Sequence, residues 1–430
     1  MATQDIPIFT DARGKLMFPI KQGSFPVLET TVSINHKNVF RGFHVESFAK
    51  LVTCIQGKVL DIVVNFDEDA EDYLIPSYYE LDATTAKVQV LVKPNHGHAF
   101  LSLEDNTILL YHFAGVYDPI NTVTVNYRDP SIGLKLPIPH DQLRVSFNDQ
   151  EALCHRPVDY YVVGGNGFIG SIIMDSLKAQ GKRVYKTLLR LEQLQEMERE
   201  LDVLRPKYVI CSAGLTGTPN IQWCETHQAE TIETNIVFQM TLVHLCRKMG
   251  VHLTVVGSGV IFTSDRFYGE DEEGNYAGNF YGKCRIIEEN MIRCYENVLY
   301  LRVNYPISSH KSPKNLITKL LSYDRIQNVN LTLTYLDELV PHLSRMIEDG
   351  EVGVCNFVND GSISLWDVVD YYSMRTGKTF AKPMNMMSNA SRSASLLKVG
   401  KMAKYGVSSA HDAVHHCIDH YLGGTDDFGP

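Results

Sequence analysis

Nine cysteines are scattered through the chain with no CxxC pair among them. An odd number without paired spacing suggests reduced thiols in a cytosol-like compartment rather than a disulfide framework. Long apolar runs are missing too: none approaches the roughly 20 residues that a membrane helix needs. Positive charge is in short supply, with 40 Lys and Arg against 50 Asp and Glu and a net charge of −10. That balance argues against nucleic acid or an anionic membrane as the main partner. Low-complexity tracts and internal repeats are absent. The opening residues, Met1 to Asp5, lack the basic-then-apolar order of a signal peptide, so a cytoplasmic location is expected.

What is present is ordinary for globular protein: 430 residues, 44% hydrophobic and 21% charged, too long for one core and natural for two domains. From Val52 to Tyr127 short strands alternate with turn signals: Lys58–Phe66, Val88–Val92, Ala99–Leu103, Ile108–Phe113 and Val123–Tyr127. Regular strands without convincing helices between them predict an all-β sandwich or jelly roll. The composition changes between Ser146 and Pro157. From Tyr160 onward strands (183–187, 208–211, 253–257, 298–302) alternate with helical patterns, clearest over 227–249 and 285–295. This is the mark of βαβ units and a doubly wound parallel sheet of Rossmann type. The expected organisation is therefore a β domain at 1–150, a linker at 151–157 and an α/β domain at 158–430.

The second domain opens on the run Tyr160 to Gly170, a buried strand leading into Gly164, Gly167 and Gly170 and then an amphipathic helix with Ile169, Ile172, Ile173 and Leu177 on one side; Phe168 and Ile169, next to the glycines, are counted with them as expected cofactor contacts. Glycines so placed permit a tight turn and close approach of backbone to a pyrophosphate at a helix N-terminus. Alone, they predict only dinucleotide binding. Strand 183–187 ends without the acid that would accept ribose hydroxyls, while Lys186 and Arg190 suit a 2′-phosphate, so NADPH is expected ahead of NADH. Cys211-Ser212-Ala213-Gly214 follows another strand. Ser258, Tyr281 and Arg285 supply a hydroxyl, a phenol and a cation four residues beyond it, one helical turn away on the same face. A phenol, unperturbed near pKa ~10, needs such a cation to exchange protons at neutral pH.

In the β half, His44 is a general-base candidate because histidine titrates near neutrality, a carboxylate such as Asp149 could fix its tautomer, and a tyrosine on the opposite wall could serve as acid, with Tyr111 and Tyr117 both at hand. Lone His and Tyr residues on barrel strands more often satisfy core hydrogen bonds, so spacing alone assigns no role. The ordered series Asp11–Gly14, Arg41–His44, Lys50–Val52, Gln56–Val59, His98–Leu101, Leu110-Tyr111, Tyr117–Pro119, Asp129–Leu134 and Ser146–Asp149 resembles the dTDP-4-dehydrorhamnose 3,5-epimerases, cupin-type jelly rolls, across roughly residues 5 to 150. That resemblance implies His44 as base with Asp149, Tyr111 as acid, and Lys50 at the substrate's 4-keto oxygen. It also implies that Arg13 and Arg41 hold phosphates, with His98 and Tyr117 beside the substrate, and that no metal takes part. Where the family has Gln two places after its histidine, this chain has Glu46.

The second domain resembles the extended short-chain dehydrogenase/reductases, where lysine usually stands at the position of Arg285. Thr216–Glu225, Glu230–Asn235, Leu301–Val303, Pro306–Ser309, Leu316–Lys319 and Leu336–Leu339 are similar to blocks of the plant-type UDP-4-keto-6-deoxyglucose epimerase/reductases, relatives of dTDP-4-dehydrorhamnose reductase. The resemblance implies cofactor contacts at Ala213 and Gly214 and substrate contacts at Thr216 and Lys319. It places Val260 where the plant-type enzymes use a cysteine for single-site epimerisation, a step valine cannot perform. The whole chain then reads as a fused 3,5-epimerase and 4-reductase acting on a UDP- or dTDP-linked 4-keto-6-deoxyglucose, expected as a homodimer. Two alternatives stand beside it: a weak reductase half serving as a nucleotide-binding regulatory module, or a product that is another 6-deoxyhexose.

Overall fold

The computed structural model describes residues 3–21, 23–118, 122–190, 193–217, 221–263, 266–276, 278–323, 326, 328–380 and 395–423. Pro119 and residues 218–220, which belong to two of the sequence blocks above, lie outside this set. The chain divides into two compact units, residues 1–157 with 199–205, and 158–198 with 206–430.

The first unit is built on two five-stranded antiparallel sheets. One orders Thr3–Asp5, Lys87–Val92, Lys50–Gln56, Thr107–Phe113 and Glu29–Asn35; the other orders Val123–Thr124, Phe40–Val45, His96–Ser102, Lys58–Asn65 and Pro76–Asp82. Side chains from both sheets meet in one core: Val52, Val90 and Leu109 from the first, Val59, Val63 and Phe100 from the second. Alternation along each strand sends every second residue inward, the pattern of a jelly roll. A second layer, Val125, Tyr127 and Ile132, packs with Phe40, Ile62 and Leu101. The strands Glu29–Asn35 and Phe40–Val45 precede the stretch in which the sequence pattern is clear. Glu29–Asn35 escapes a pattern reading because it is an edge strand whose apolar Val32 and Ile34 stay exposed.

The second unit centres on a six-stranded, wholly parallel sheet in the order Val184–Lys186, Tyr160–Val163, Tyr208–Cys211, His252–Ser258, Val298–Val303, Gly353–Phe357. Tyr160–Val163 is buried at every residue, as expected for a strand covered on both faces. Helix Phe168–Ala179 packs Ile173, Met174 and Leu177 into the main core. The order of connection reverses between Tyr160–Val163 and Tyr208–Cys211, so the ligand crevice of such a sheet lies at the carboxyl ends of these two strands. The helical pattern over 227–249 resolves into Gln228–Ile232, a π-helical turn at Glu233–Val237, and Phe238–Met249. The helical pattern that is clearest over 285–295 belongs to helix Phe280–Ile292, whose start Asn279 caps by accepting from Gly282 N.

Candidate active sites

Within the barrel, His44 and His98 lie directly opposite each other on paired strands. His44 Nε2 is 2.9 Å from Asp149 Oδ1. Burial pushes Asp149 up, but the bond and charge of His44, with Gly42 N and Ser146 as further donors, hold its carboxyl below the ordinary value. An ionised carboxylate only accepts, so Nε2 carries a proton, and in the neutral imidazole it is Nδ1 that has the lone pair. Asp149 is itself fixed on the helix Phe147–Glu151, where its backbone N–H donates to the capping Ser146 Oγ at 3.1 Å.

Tyr111 rises from the other sheet. Its ring meets that of His98 edge-on at 6.3 Å, its hydroxyl is 3.3 Å from Ser33 Oγ, and burial pushes the phenol well above its ordinary value. Phe113 stacks between Tyr111 and Tyr117, with centroid separations of 6.1 and 6.2 Å. His98 Nε2 lies 2.8 Å from Asp61 Oδ2, a fully buried carboxylate that the sequence reading did not single out. Lys50 also has a partner, Glu46 Oε2 at 2.6 Å, with side chains only 3% and 4% exposed. Burial draws the Lys50 ammonium down, against the pull of Glu46 and Asp61. Glu46 thus acts on Lys50 rather than on the histidine base. Arg41 is exposed and donates through Nε to Asn35 Oδ1 at 3.1 Å. Arg13, 90% exposed on the hairpin Ile8–Met17, bonds to Asp11, and among the described residues no bond ties it to this group.

In the second unit, Gly164 takes φ +78°, and a Cβ there would stand 2.5 Å from Ala213 N; one on Gly170 would stand 2.3 Å from Gly164 O. Gly167 begins helix Phe168–Ala179 with no side chain capping its amides. Phe168 and Ile169 pack beside the core. This cradle fits a dinucleotide pyrophosphate. A cleft of about 370 Å³ adjoins it, lined by Gly165, Asn166, Met174, Asp175, Val184 and Lys186 among others. Lys186 Nζ bonds Asn166 Oδ1 at 2.6 Å, placing the cation at the glycine loop, whereas the exposed Arg190 is tied to Gln193 through its backbone, its N–H donating to Oε1 and its carbonyl accepting from Gln193 N.

The loop Ser212-Ala213-Gly214 is anchored by Gln239 Nε2 on Ala213 O at 2.7 Å and by Asn235, whose amide both accepts from and donates to Leu215 backbone. The π-helical turn carries Asn235, and such turns often mark functional sites. Thr216 is exposed beyond it, and Lys319 is half-buried on helix Leu316–Leu321. Tyr281 is buried, and Arg285 Nε donates to its hydroxyl at 3.3 Å. Lys283 points elsewhere and is exposed. Ser258 ends its strand, with Oγ accepting from Val260 N at 3.2 Å. Among the described residues no group of three or more His, Cys, Asp or Glu side chains is placed to hold a metal ion, and no helix is long and apolar enough to cross a membrane.

A barrel with an internal His–Asp pair and a separate glycine-cradled sheet with a Ser–Tyr–cation set define a two-domain enzyme, an isomerase joined to an oxidoreductase. The family models agree: dTDP-4-dehydrorhamnose 3,5-epimerase over residues 4–155, and the NAD dependent epimerase/dehydratase family over 160–321. The chain is 34% identical over 223 residues to the bifunctional dTDP-4-dehydrorhamnose 3,5-epimerase/dTDP-4-dehydrorhamnose reductase of Arabidopsis thaliana, a match covering 50% of this chain and 74% of that protein. It belongs to this family of bifunctional epimerase/reductases. A trifunctional UDP-glucose 4,6-dehydratase/epimerase/reductase of the same plant is 33% identical over 222 residues, and the chain spans only 33% of its length. Among solved structures, the L780 UDP-rhamnose synthase of Acanthamoeba polyphaga mimivirus shares the fold, with a TM-score of 0.58 and 24% identity over 62% of this chain and 100% of that one. So does a dTDP-4-dehydrorhamnose reductase of Bacillus anthracis in complex with NADP, with a TM-score of 0.54 and 16% identity over 61% and 98%.

Proposed function

We propose that this chain converts a UDP- or dTDP-linked 4-keto-6-deoxyglucose into the corresponding nucleotide-L-rhamnose, epimerising C3 and C5 in the barrel and reducing C4 in the Rossmann unit. The observation that carries this reading is the presence of one acid–base set in each unit: His44–Asp149 with Tyr111 and Lys50, and Tyr281–Arg285 with Ser258. A C4 ketone acidifies the protons on C3 and C5 because the resulting carbanion delocalises onto oxygen. His44 Nδ1 removes each proton, the imidazolium being stabilised by Asp149. Lys50 stands by the enolate oxygen, and Tyr111 returns a proton from the opposite face. Tyr111's raised affinity for its proton keeps it a donor at neutral pH. Arg41 and Arg13 serve the phosphates, and the Tyr111–Phe113–Tyr117 ladder offers aromatic surface beside the substrate.

In the second unit a nicotinamide cofactor supplies the hydride that C4 accepts. Gly164, Gly167, Gly170 and the first amides of helix Phe168–Ala179 hold its pyrophosphate. Ser258 polarises the ketone, and Tyr281 gives its proton to the forming alkoxide while Arg285 stabilises the phenolate left behind. Val260 offers no proton, so epimerisation belongs to the barrel. NADPH is the preferred donor because Lys186 stands at the cradle. Lys186→Ala is therefore expected to raise the NADPH KM about tenfold and leave the NADH KM unchanged; equal rises for both would remove Lys186 from phosphate recognition.

Glu46 makes a second, contrary expectation. It neutralises the cation that the enolate needs, so Glu46→Gln should speed deuterium exchange at C3 and C5 by roughly threefold to tenfold. The same change leaves a buried ammonium poorly paired and lowers the unfolding midpoint. Slower exchange would show that Glu46 holds Lys50 in place rather than weakening it. Exposed apolar residues on the edge strand (Val32, Ile34) and on or next to the hairpin Ile8–Met17 (Phe9, Leu16, Phe18) fit a second copy of this chain, and we take the working form as a cytoplasmic homodimer. The reading as a whole is tested by NMR of the product formed from purified protein, either 4-keto nucleotide sugar and NADPH. Nucleotide-L-rhamnose is expected; an unepimerised 6-deoxyhexose, or no turnover with either nucleotide, would overturn it.

A further inference from the structure

The Tyr281 helix carries a buried acid that the reduction described above does not use, Glu288, whose carboxyl burial pushes up against the opposing pull of Arg285 and Tyr300. Glu288 is 0% exposed, one turn past Arg285, and its Oε2 accepts from Arg285 Nη1 at 2.7 Å. Tyr300, from strand Val298–Val303, donates to the same oxygen at 3.1 Å. The other carboxylate oxygen, Oε1, is buried with no hydrogen-bond partner. Two glycines clear the space this group occupies. A Cβ on Gly257 would lie 2.0 Å from the Tyr300 ring, and one on Gly214 would lie 2.4 Å from Arg285 Nη2. The guanidinium is thereby divided in three: Nε to the Tyr281 hydroxyl, Nη1 to Glu288, and Nη2 against the Gly214 loop that borders the crevice.

A lysine ammonium is a compact charge that serves a neighbour from many directions. A guanidinium is planar, and its effect on a phenol depends on which edge it turns that way. Burying such a cation unpaired is costly, and here it is compensated: burial draws Arg285 down, and Glu288, acting with Tyr281 and Tyr300, more than reverses this. The surroundings add little competing charge. Cys211, from the neighbouring strand, is pushed up to about 12 by burial, and the Cys224 and Cys284 thiols are raised in the same way. Glu289, the adjoining acid on the helix, is compensated by Arg302 at 2.6 Å and Arg293 at 2.8 Å.

We propose that Glu288 is a positioning residue of the reductase, one that orients the Arg285 fork so that Nε meets the Tyr281 hydroxyl, and that moderates the charge the fork presents there, setting the alkaline limit of ketone reduction. Arg285, Glu288, Tyr300, Gly214 and Gly257 then form one unit that does the work of a single cation. The inference rests on Tyr281 as proton donor to C4, and the control Tyr281→Phe tests that reading separately: if Tyr281→Phe still oxidises NADPH normally, the donor assignment fails whatever Glu288 does.

Glu288→Gln in the full chain preserves shape and a hydrogen-bond acceptor while removing charge. With the guanidinium unmoderated, phenolate is favoured, so the alkaline limb of kcat/KM for reduction should move down by about one pH unit. NADPH affinity, read by fluorescence titration, should stay within about threefold because Glu288 does not reach the cradle. A second arm covers poor folding of that variant. In Arg285→Lys the flexible ammonium is drawn to Glu288 and away from Tyr281, with a loss of about tenfold in kcat, and adding Glu288→Gln should restore most of it. A purely structural Glu288 gives the opposite pattern: an unmoved alkaline limb in folded Glu288→Gln, or a double variant no faster than Arg285→Lys. Either result overturns the proposal.

Discussion

His44→Ala is expected to abolish solvent deuterium incorporation at C3 and C5 of the 4-keto sugar, lowering exchange by about a thousandfold. The size follows from position. His44 Nδ1 carries the lone pair because Asp149 accepts the Nε2 proton, and its side chain is half-buried, whereas that of His98 is buried. His98 is committed to Asp61 at 2.8 Å. The expected loss is in proton abstraction rather than in binding, so KM should change little. NADPH oxidation by the other unit should persist if pre-epimerised 4-keto-L-rhamnose nucleotide is supplied. NMR exchange in deuterated buffer checks the first point and absorbance at the nicotinamide band the second. Undiminished exchange would remove His44 from the reaction.

Tyr281→Phe is expected to reduce NADPH oxidation by about a hundredfold to ten-thousandfold while leaving exchange at C3 and C5 unchanged. The phenol is buried, is the acceptor of the Arg285 Nε bond, and is the only hydroxyl so paired with a cation in the Ser258–Tyr281–Arg285 set. Deleting one oxygen leaves the ring packed, so folding and cofactor titration should be preserved. A variant that loses both activities would point to one shared site, contrary to the separation argued above.

Much of this was open to inspection in the residues themselves. Tyr160–Val163 with Gly164, Gly167 and Gly170 is local chemistry: an apolar strand, a turn that requires positive φ, and a helix start are contiguous, so a short stretch declares them. Tyr281 and Arg285 are legible for the same reason, being one turn apart. His44 and Asp149 are separated by more than a hundred residues, and only their place in an ordered series of motifs links them. What escapes the sequence is pairing set by tertiary packing. Asp61 sits in a run of apolar residues, and nothing along the strand shows that His98 of the neighbouring strand satisfies it. Glu288 stands three places after Arg285, a spacing that on an exposed helix signals a weak surface pair. Burial by Tyr300 and the two facing glycines makes it something else. The π-helical turn at Glu233–Val237 is hidden because one extra residue leaves the helical periodicity nearly intact.

Two separate sites acting in series, one epimerising and one reducing, need not both be active in the same molecule. Mixing the His44→Ala and Tyr281→Phe proteins tests it most directly, since each lacks one step and retains the other. With 4-keto-6-deoxyglucose nucleotide and NADPH in deuterated buffer, the mixture should yield nucleotide-L-rhamnose with deuterium at C3 and C5, although neither protein alone does so. A mixture that stays inactive, while each protein keeps its own half-reaction, would contradict it.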